Sequence, residues 1–228
     1  MPKLPGLFDS FDNLDQIDST SLISWIKPAP SSIQLENYLA NKILYPQTLP
    51  VSEIDMKIDL AILREALKMN GPKPQDSGGP MLGDNSFLNF ALKKIIIPKR
   101  FLLFVPDLTA LTWAFVDGLL FNRRKRDLFE DLWTVVVSDD SEEIVGSVIL
   151  PQFNSGSDTM DLSVLDRDFG KSPPAVYKIK AGSLTIIPCP KDRCEIAYKF
   201  SNGKIFGKKE SALEVYGGRL GLMIDGRT

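Results

Sequence analysis

Apolar residues recur at Ile33, Leu35, Leu39, Ile43 and Leu44, the spacing of one helical face, behind Ser31 or Ser32 as an N-cap. A proline-limited connector, SWIKPAP at 24–30, precedes this helix, and Pro46 and Pro50 stop it. Ser52 caps the next helix, with Glu53 and Asp55 in a first turn that favours carboxylates. Its apolar stripe runs through Ile58, Ile62 and Leu63 to Met69, and Gly71-Pro72 ends it. Positions 71–84 read as a Gly/Pro-rich loop, followed by a third helix over 86–95. The run FLLFV at 101–105, closed by Pro106, reads as a strand buried on both faces. A helix over 107–122 follows, with Trp113 and Phe115 in its core stripe. Helix, buried strand and helix in that order predict part of an α/β layer.

Beyond Leu132 the period shortens. Runs at 133–137, 144–150, 175–179, 184–187, 195–200, 213–216 and 220–224 are rich in Val, Ile and aromatics. Turn signals lie between them: Asp139-Asp140-Ser141, Ser201-Asn202-Gly203 and Gly217-Gly218. Such spacing predicts a small antiparallel β-sandwich or barrel. The polar stretch 152–174 reads as a long loop. The expected class is therefore α+β, with a helical and partial α/β half over 1–131 and a β-rich domain over 132–228. There are no internal repeats and no heptads.

Composition narrows the chemistry more than the fold. The 228 residues are 43% hydrophobic and 25% charged, with a formal net charge of -2, so no bulk positive field draws the chain to nucleic acid. Histidine is absent. That removes Ser-His-Asp and Cys-His triads, His-ligated zinc and a histidine general base. The two cysteines, Cys189 and Cys194, are too few for a four-thiolate metal site, so no metal is expected. They flank Pro190-Lys191-Asp192-Arg193 as a hairpin tip; a bridge or redox pair stays open beside the plainer reading of two reduced loop thiols. The first 20 residues lack a secretory apolar core. The apolar stretch 101–121 is interrupted by Pro106, Asp107, Asp117 and Gly118, so no membrane span and a cytoplasmic location are expected.

Few residues stand out as chemical candidates. The cluster Arg123, Arg124, Lys125 and Arg126 reads as the solvated end of a helix, offset by Glu130 and Asp131. Asp117, on an apolar helix, and Asp225, near Arg219 and Arg227, need partners if buried. No G-x-x-x-x-G-K-[ST] or G-x-G-x-x-G phosphate loop occurs, and no G-x-S-x-G nucleophile motif. Ser77-Gly78-Gly79 is the remaining place where backbone can approach a ligand closely.

The segment Leu35-Glu36-Asn37-Tyr38-Leu39-Ala40-Asn41-Lys42, then Leu44, Pro46-Gln47-Thr48 and Pro50, resembles the "ENYLLNK…L.PQT.P" segment of the methylaspartate (glutamate) mutase accessory protein family, the L-type protein of the actin/sugar-kinase ATPase superfamily. Further likenesses follow in the family's order. Arg64-Glu65-Ala66-Leu67 is similar to its "REAL" helix, and Ser77-Gly78-Gly79 to its "GSGG" loop. Positions 92–120 resemble its helix–strand–helix, 132–137 its "LGTVV" strand, and 182–190 its "GSLEVLPLP". The closing run 217–227 resembles "GGxLGLxIDxR". The likeness spans only the C-terminal part of that family, without the upstream hairpins that hold triphosphate and metal.

The resemblance thus implies an actin-like ATPase lobe and a non-catalytic accessory or assembly role in mutase reactivation, with a partner supplying the missing phosphate-binding lobe. ATP or ADP would be shared with that partner, with Ser77, Gly78 and Gly79 on the adenosine side. Asn37, Tyr38, Asn41, Gln47 and Thr48 would form a partner-docking surface; Asn37 and Asn41 share one helical face. A structural subunit of a larger complex, binding no nucleotide, is the alternative.

Overall fold

The computed structural model describes residues 16–70, 92–120, 129–138, 141–165, 175–189 and 192–227. They fall in two units, Met1–Leu82 with Pro98–Lys125 and Gly83–Ile97 with Arg126–Thr228. The first unit is built from α1 (Ser19–Trp25), α2 (Ser32–Leu44), α3 (Glu53–Asn70), a 3-10 helix (Lys99–Leu103) and α4 (Leu108–Leu120). Each α-helix starts where a side-chain oxygen satisfies a free backbone donor. Asp18 accepts from the Thr20 N–H and Ser31 from the Gln34 N–H, each at 3.2 Å. Ser52 accepts from the Asp55 N–H, while the Asp55 carboxylate accepts from the Val51 and Ser52 N–H groups, a reciprocal cap. Asp107 caps α4 through the Thr109 and Ala110 N–H groups.

The helical core gathers Leu22, Leu35, Ile58, Ile62, Leu63, Phe101, Val105 and Leu111. Helices α3 and α4 meet closely at Gly118, where a Cβ would lie 2.6 Å from the Leu67 Cβ and 2.9 Å from the Arg64 carbonyl oxygen. Beside that contact Arg64 Nε donates to Asp117 Oδ2 at 2.9 Å, the partner that a carboxylate on an apolar helix requires. Trp113 is half-buried and Phe115 is buried.

Several sequence expectations need correction. Residues 92–98, part of the expected third helix and its flank, form strand β1 (Leu92–Pro98). Ile95 and Ile97 are buried and Ile96 exposed, a period of two that β-branched side chains favour. The run 101–105 is not a strand but begins within the 3-10 helix. Phe101 and Phe104 are buried and Leu103 is exposed, so its apolar residues follow a three-residue period. The expected order of helix, buried strand and helix is therefore replaced by strand, 3-10 helix and α-helix. The first helical face is also only partly a core face: Leu35 is buried, whereas Ile33, Ile43 and Leu44 are exposed.

In the second unit β1 pairs with β2 (Phe129–Ser138) in a five-stranded sheet completed by β3 (Glu142–Ile149), β11 (Gly221–Asp225) and β7 (Leu184–Ile187), in the order β1-β2-β3-β11-β7. Strand β11 lies antiparallel to β7 but parallel to β3, so this sheet is mixed rather than wholly antiparallel. A four-stranded antiparallel sheet follows the order β10-β8-β5-β6, from β10 (Glu210–Tyr216), β8 (Arg193–Phe200), β5 (Thr159–Leu165) and β6 (Val176–Lys180). The short pair β4 (Gln152–Phe153) and β9 (Gly203–Lys204) completes the unit.

Strand β5 overturns part of the long loop expected over 152–174. Its buried Met160 and Leu162 alternate with exposed Asp161, a two-residue period hidden by polar neighbours. Side chains of both sheets enter one buried cluster, among them Ile149, Leu162, Ile187, Ile196, Val215 and Leu222. Cys189 and Cys194 belong to it, so the expected loop thiols are buried core side chains. Asp225 is buried and paired with Arg227 at 2.9 Å. The cluster 123–126 lies outside the described residues.

Candidate functional site

The sequence-predicted docking residues fall on α2 and the turn that follows it, where they divide into two sets. Asn37, Asn41 and Gln47 are exposed; Tyr38 and Thr48 are half-buried. The Tyr38 hydroxyl donates to Asp59 Oδ1 at 2.9 Å, tying α2 to α3. The Thr48 N–H donates to the Tyr45 carbonyl at 3.0 Å, and the Thr48 carbonyl accepts from Lys42 Nζ. Ser77, Gly78 and Gly79, expected on the adenosine side, lie outside the described residues.

Lys42 is the residue that joins these groups. Its ammonium is buried and donates to Asp59 Oδ2 at 2.8 Å, and it sits 5.5 Å from the ring centroids of both Tyr38 and Phe104. A buried ammonium is tolerated only with such company: a carboxylate, a carbonyl and two aromatic faces share the charge. Both Asp59 oxygens have a donor, so the pair is also closed on the acid side. Burial raises the Asp59 carboxyl from its ordinary range to about 6, against the opposing pull of Lys42 and Tyr38. Burial and the neighbouring Asp59 charge raise the Tyr38 hydroxyl far above the ordinary phenol range, which keeps it a donor.

These groups are spent on one another. The arrangement can hold the end of α2 and the turn 45–48 against α3; it offers no free base or nucleophile to a substrate. Its acid response has a definite sign. A folded-state pKa above the unfolded value means that the folded protein binds the proton more tightly, so this group's contribution to stability rises as pH falls from about 6 toward 4. Wild type is therefore expected to gain stability relative to Asp59→Asn across that window. Paired urea titrations at pH 7, 5 and 4 measure it; a gap that narrows on acidification contradicts the assignment.

The stretch that follows Lys42 leaves several apolar side chains exposed. Ile43 is 46% exposed, Leu44 70%, Tyr45 55%, Leu49 53% and Val51 93%. Single exposed apolar residues are ordinary; five within positions 43–51 are a local concentration of them. Asn41 and Gln47 lie within the same stretch and are also exposed.

Sequence reasoning singled out Asn37, Tyr38, Asn41, Gln47 and Thr48 and missed Lys42 and Asp59. The signal was present. Lys42 lies at i+7 from Leu35, on the stripe that includes Leu39, and Asp59 shares a face with Ile62 and Ala66. Opposite charges on the apolar faces of consecutive helices point to a buried pair.

Among the described residues no group of three or more His, Cys, Asp or Glu side chains is placed to hold a metal ion, and no helix is long and apolar enough to cross a membrane. No family model matches the chain, and neither a curated protein nor a solved structure matches it.

Proposed function

We propose that the chain is a non-catalytic accessory or assembly protein that docks on a protein partner through the apolar shoulder at the end of α2. The observation that carries this reading is the exposure of Ile43, Leu44, Tyr45, Leu49 and Val51 in the stretch that follows the buried Lys42. Lys42 ties the end of α2 and the Thr48 carbonyl to α3, so this stretch loses little conformational freedom on binding, which favours association. Asn37, Asn41 and Gln47 supply hydrogen-bonding groups at its rim.

The resemblance to the mutase accessory family makes the partner either the lobe that carries the phosphate-binding hairpins or the mutase itself, in the cytoplasm. In that arrangement the helical unit is a remnant of an actin-like lobe, and the two sheets form a small sandwich around their shared core. Ser77, Gly78 and Gly79 face the adenosine of an ATP or ADP that the partner grips by its phosphates. The other role, a structural subunit without nucleotide, rests on the same docking surface.

Leu44→Asp combined with Val51→Asp is expected to weaken partner binding at least tenfold while leaving the unfolding midpoint unchanged. Both side chains are exposed, so the substitutions cost the fold little. Complexes isolated from native lysate, identified and rebuilt from purified components provide the measurement. A chain that stays monomeric and partnerless, or a doubly substituted chain that binds as well as wild type, ends this reading. Calorimetry with ATP and ADP, with and without the partner, separates the nucleotide-sharing role from the structural one.

A further inference from the structure

Cys189 follows β7, the edge strand of the five-stranded sheet, and Cys194 lies in β8 of the four-stranded sheet, opposite Val215 of β10. Both are free, both are buried, and their thiols share a hydrogen bond. The Leu222 backbone N–H also donates to the Cys189 sulfur. Around them stand Ile187, Ile196, Val215 and Leu222. An apolar shell with two sulfurs facing each other has no third ligand for a metal, but it does have the two groups of a disulfide.

We propose that Cys189 and Cys194 form a reversible oxidation site, a dithiol that closes to an intramolecular disulfide by exchange with a small-molecule disulfide such as oxidised glutathione. One cysteine, as thiolate, attacks a glutathione sulfur and expels glutathione thiolate, which takes up a proton. The other, also deprotonated, then attacks the protein sulfur of the mixed disulfide and expels the second glutathione. Two protein thiols are oxidised, one glutathione disulfide is reduced, and two glutathione thiols leave. The new bond ties the end of β7 to the start of β8 and so links the two sheets through a covalent strut.

The same burial sets the rate. It pushes the Cys189 thiol up to about 12, so the resting pair holds little thiolate and the exchange waits on opening of this end of the unit. The dithiol is thus slow to react, and its disulfide, once formed, is shielded from reductants in the same way.

The test equilibrates the full chain with glutathione redox buffers, folded and in urea, traps free thiols by alkylation and reads intact and peptide masses. The folded chain is expected to pass from two alkylated cysteines to a Cys189–Cys194 disulfide in one step, independent of protein concentration. Because a disulfide that stabilises the fold is by linkage favoured by it, the folded chain should need about thirtyfold less oxidant than the chain in urea. Cys194→Ser should give no intramolecular product; should that variant fail to fold, the wild-type comparison decides alone. Equal oxidant requirements in the two states, persistent mixed disulfides, disulfide-linked dimers, or two thiols that stay alkylatable throughout would overturn the proposal.

Discussion

Lys42→Met is expected to destabilise the helical unit by about 3–5 kcal/mol, the range for removing one partner of a buried ion pair. The loss comes less from the pair itself than from what is left behind. Without the ammonium, the buried Asp59 carboxyl must carry an uncompensated charge or take up a proton, with only the Tyr38 hydroxyl beside it, and the Thr48 carbonyl loses its donor. Replacing the whole group, with Lys42→Met, Asp59→Leu and Tyr38→Phe together, should recover most of the stability, since a well-packed apolar substitute avoids the desolvation cost altogether. Unfolding followed by far-ultraviolet circular dichroism, with Trp25 and Trp113 fluorescence as reporters in this unit, gives both numbers. A loss below about 1 kcal/mol for Lys42→Met would mean that the pair does not anchor α2.

Gly221→Ala is expected to cost the β unit about 3 kcal/mol or more, from a strained backbone and a clash acting together. Gly221 has φ +68°, and a Cβ there would lie 2.5 Å from the Ile187 carbonyl oxygen and 3.3 Å from the Cys189 N–H nitrogen. Both obstacles are backbone atoms, so no side chain can swing away to relieve the contact. Gly207→Ala separates the two causes. Its φ is +75°, yet nothing lies within 4 Å of the added carbon, so it should cost only about 1 kcal/mol of conformational strain. Trp133, buried in β2, reports unfolding of this unit. Equal losses for the two variants would show that the close approach of β11 to β7 is not what Gly221 serves.

Much of the secondary structure was legible because local signals agreed with the final environment. Of the expected caps, Ser31 and Ser52 work as their sequence context indicates, since a side-chain oxygen needs only a donor two or three residues away. The run 184–187 forms β7, where β-branched residues lie between turns. Errors arose where a short apolar run suits more than one period. Four apolar residues flank Leu103 at 101–105, and Pro98 and Pro106 bound that run without revealing whether it coils or extends. Strand β5 was lost for the opposite reason: its outward positions are polar enough to read as loop, although its inward ones are Met160 and Leu162.

The candidate site shows the same division at single residues. Periodicity alone placed Ile43 and Leu44 on the expected core face, yet they are exposed and Lys42, on the stripe of Leu35 and Leu39, is among the most deeply buried side chains. Cys189 and Cys194 were visible as a pair, but not that two sheets close over them. Sequence by itself determined where most helices start, where most of the later strands run, which catalytic chemistries lack their residues, and which side chains share an element's face. Only the tertiary structure decided which face meets the core, which charges find partners there, and which apolar residues are left on the surface. Those outcomes depend on what packs opposite, and local spacing carries no information about a neighbour that arrives from elsewhere in the chain.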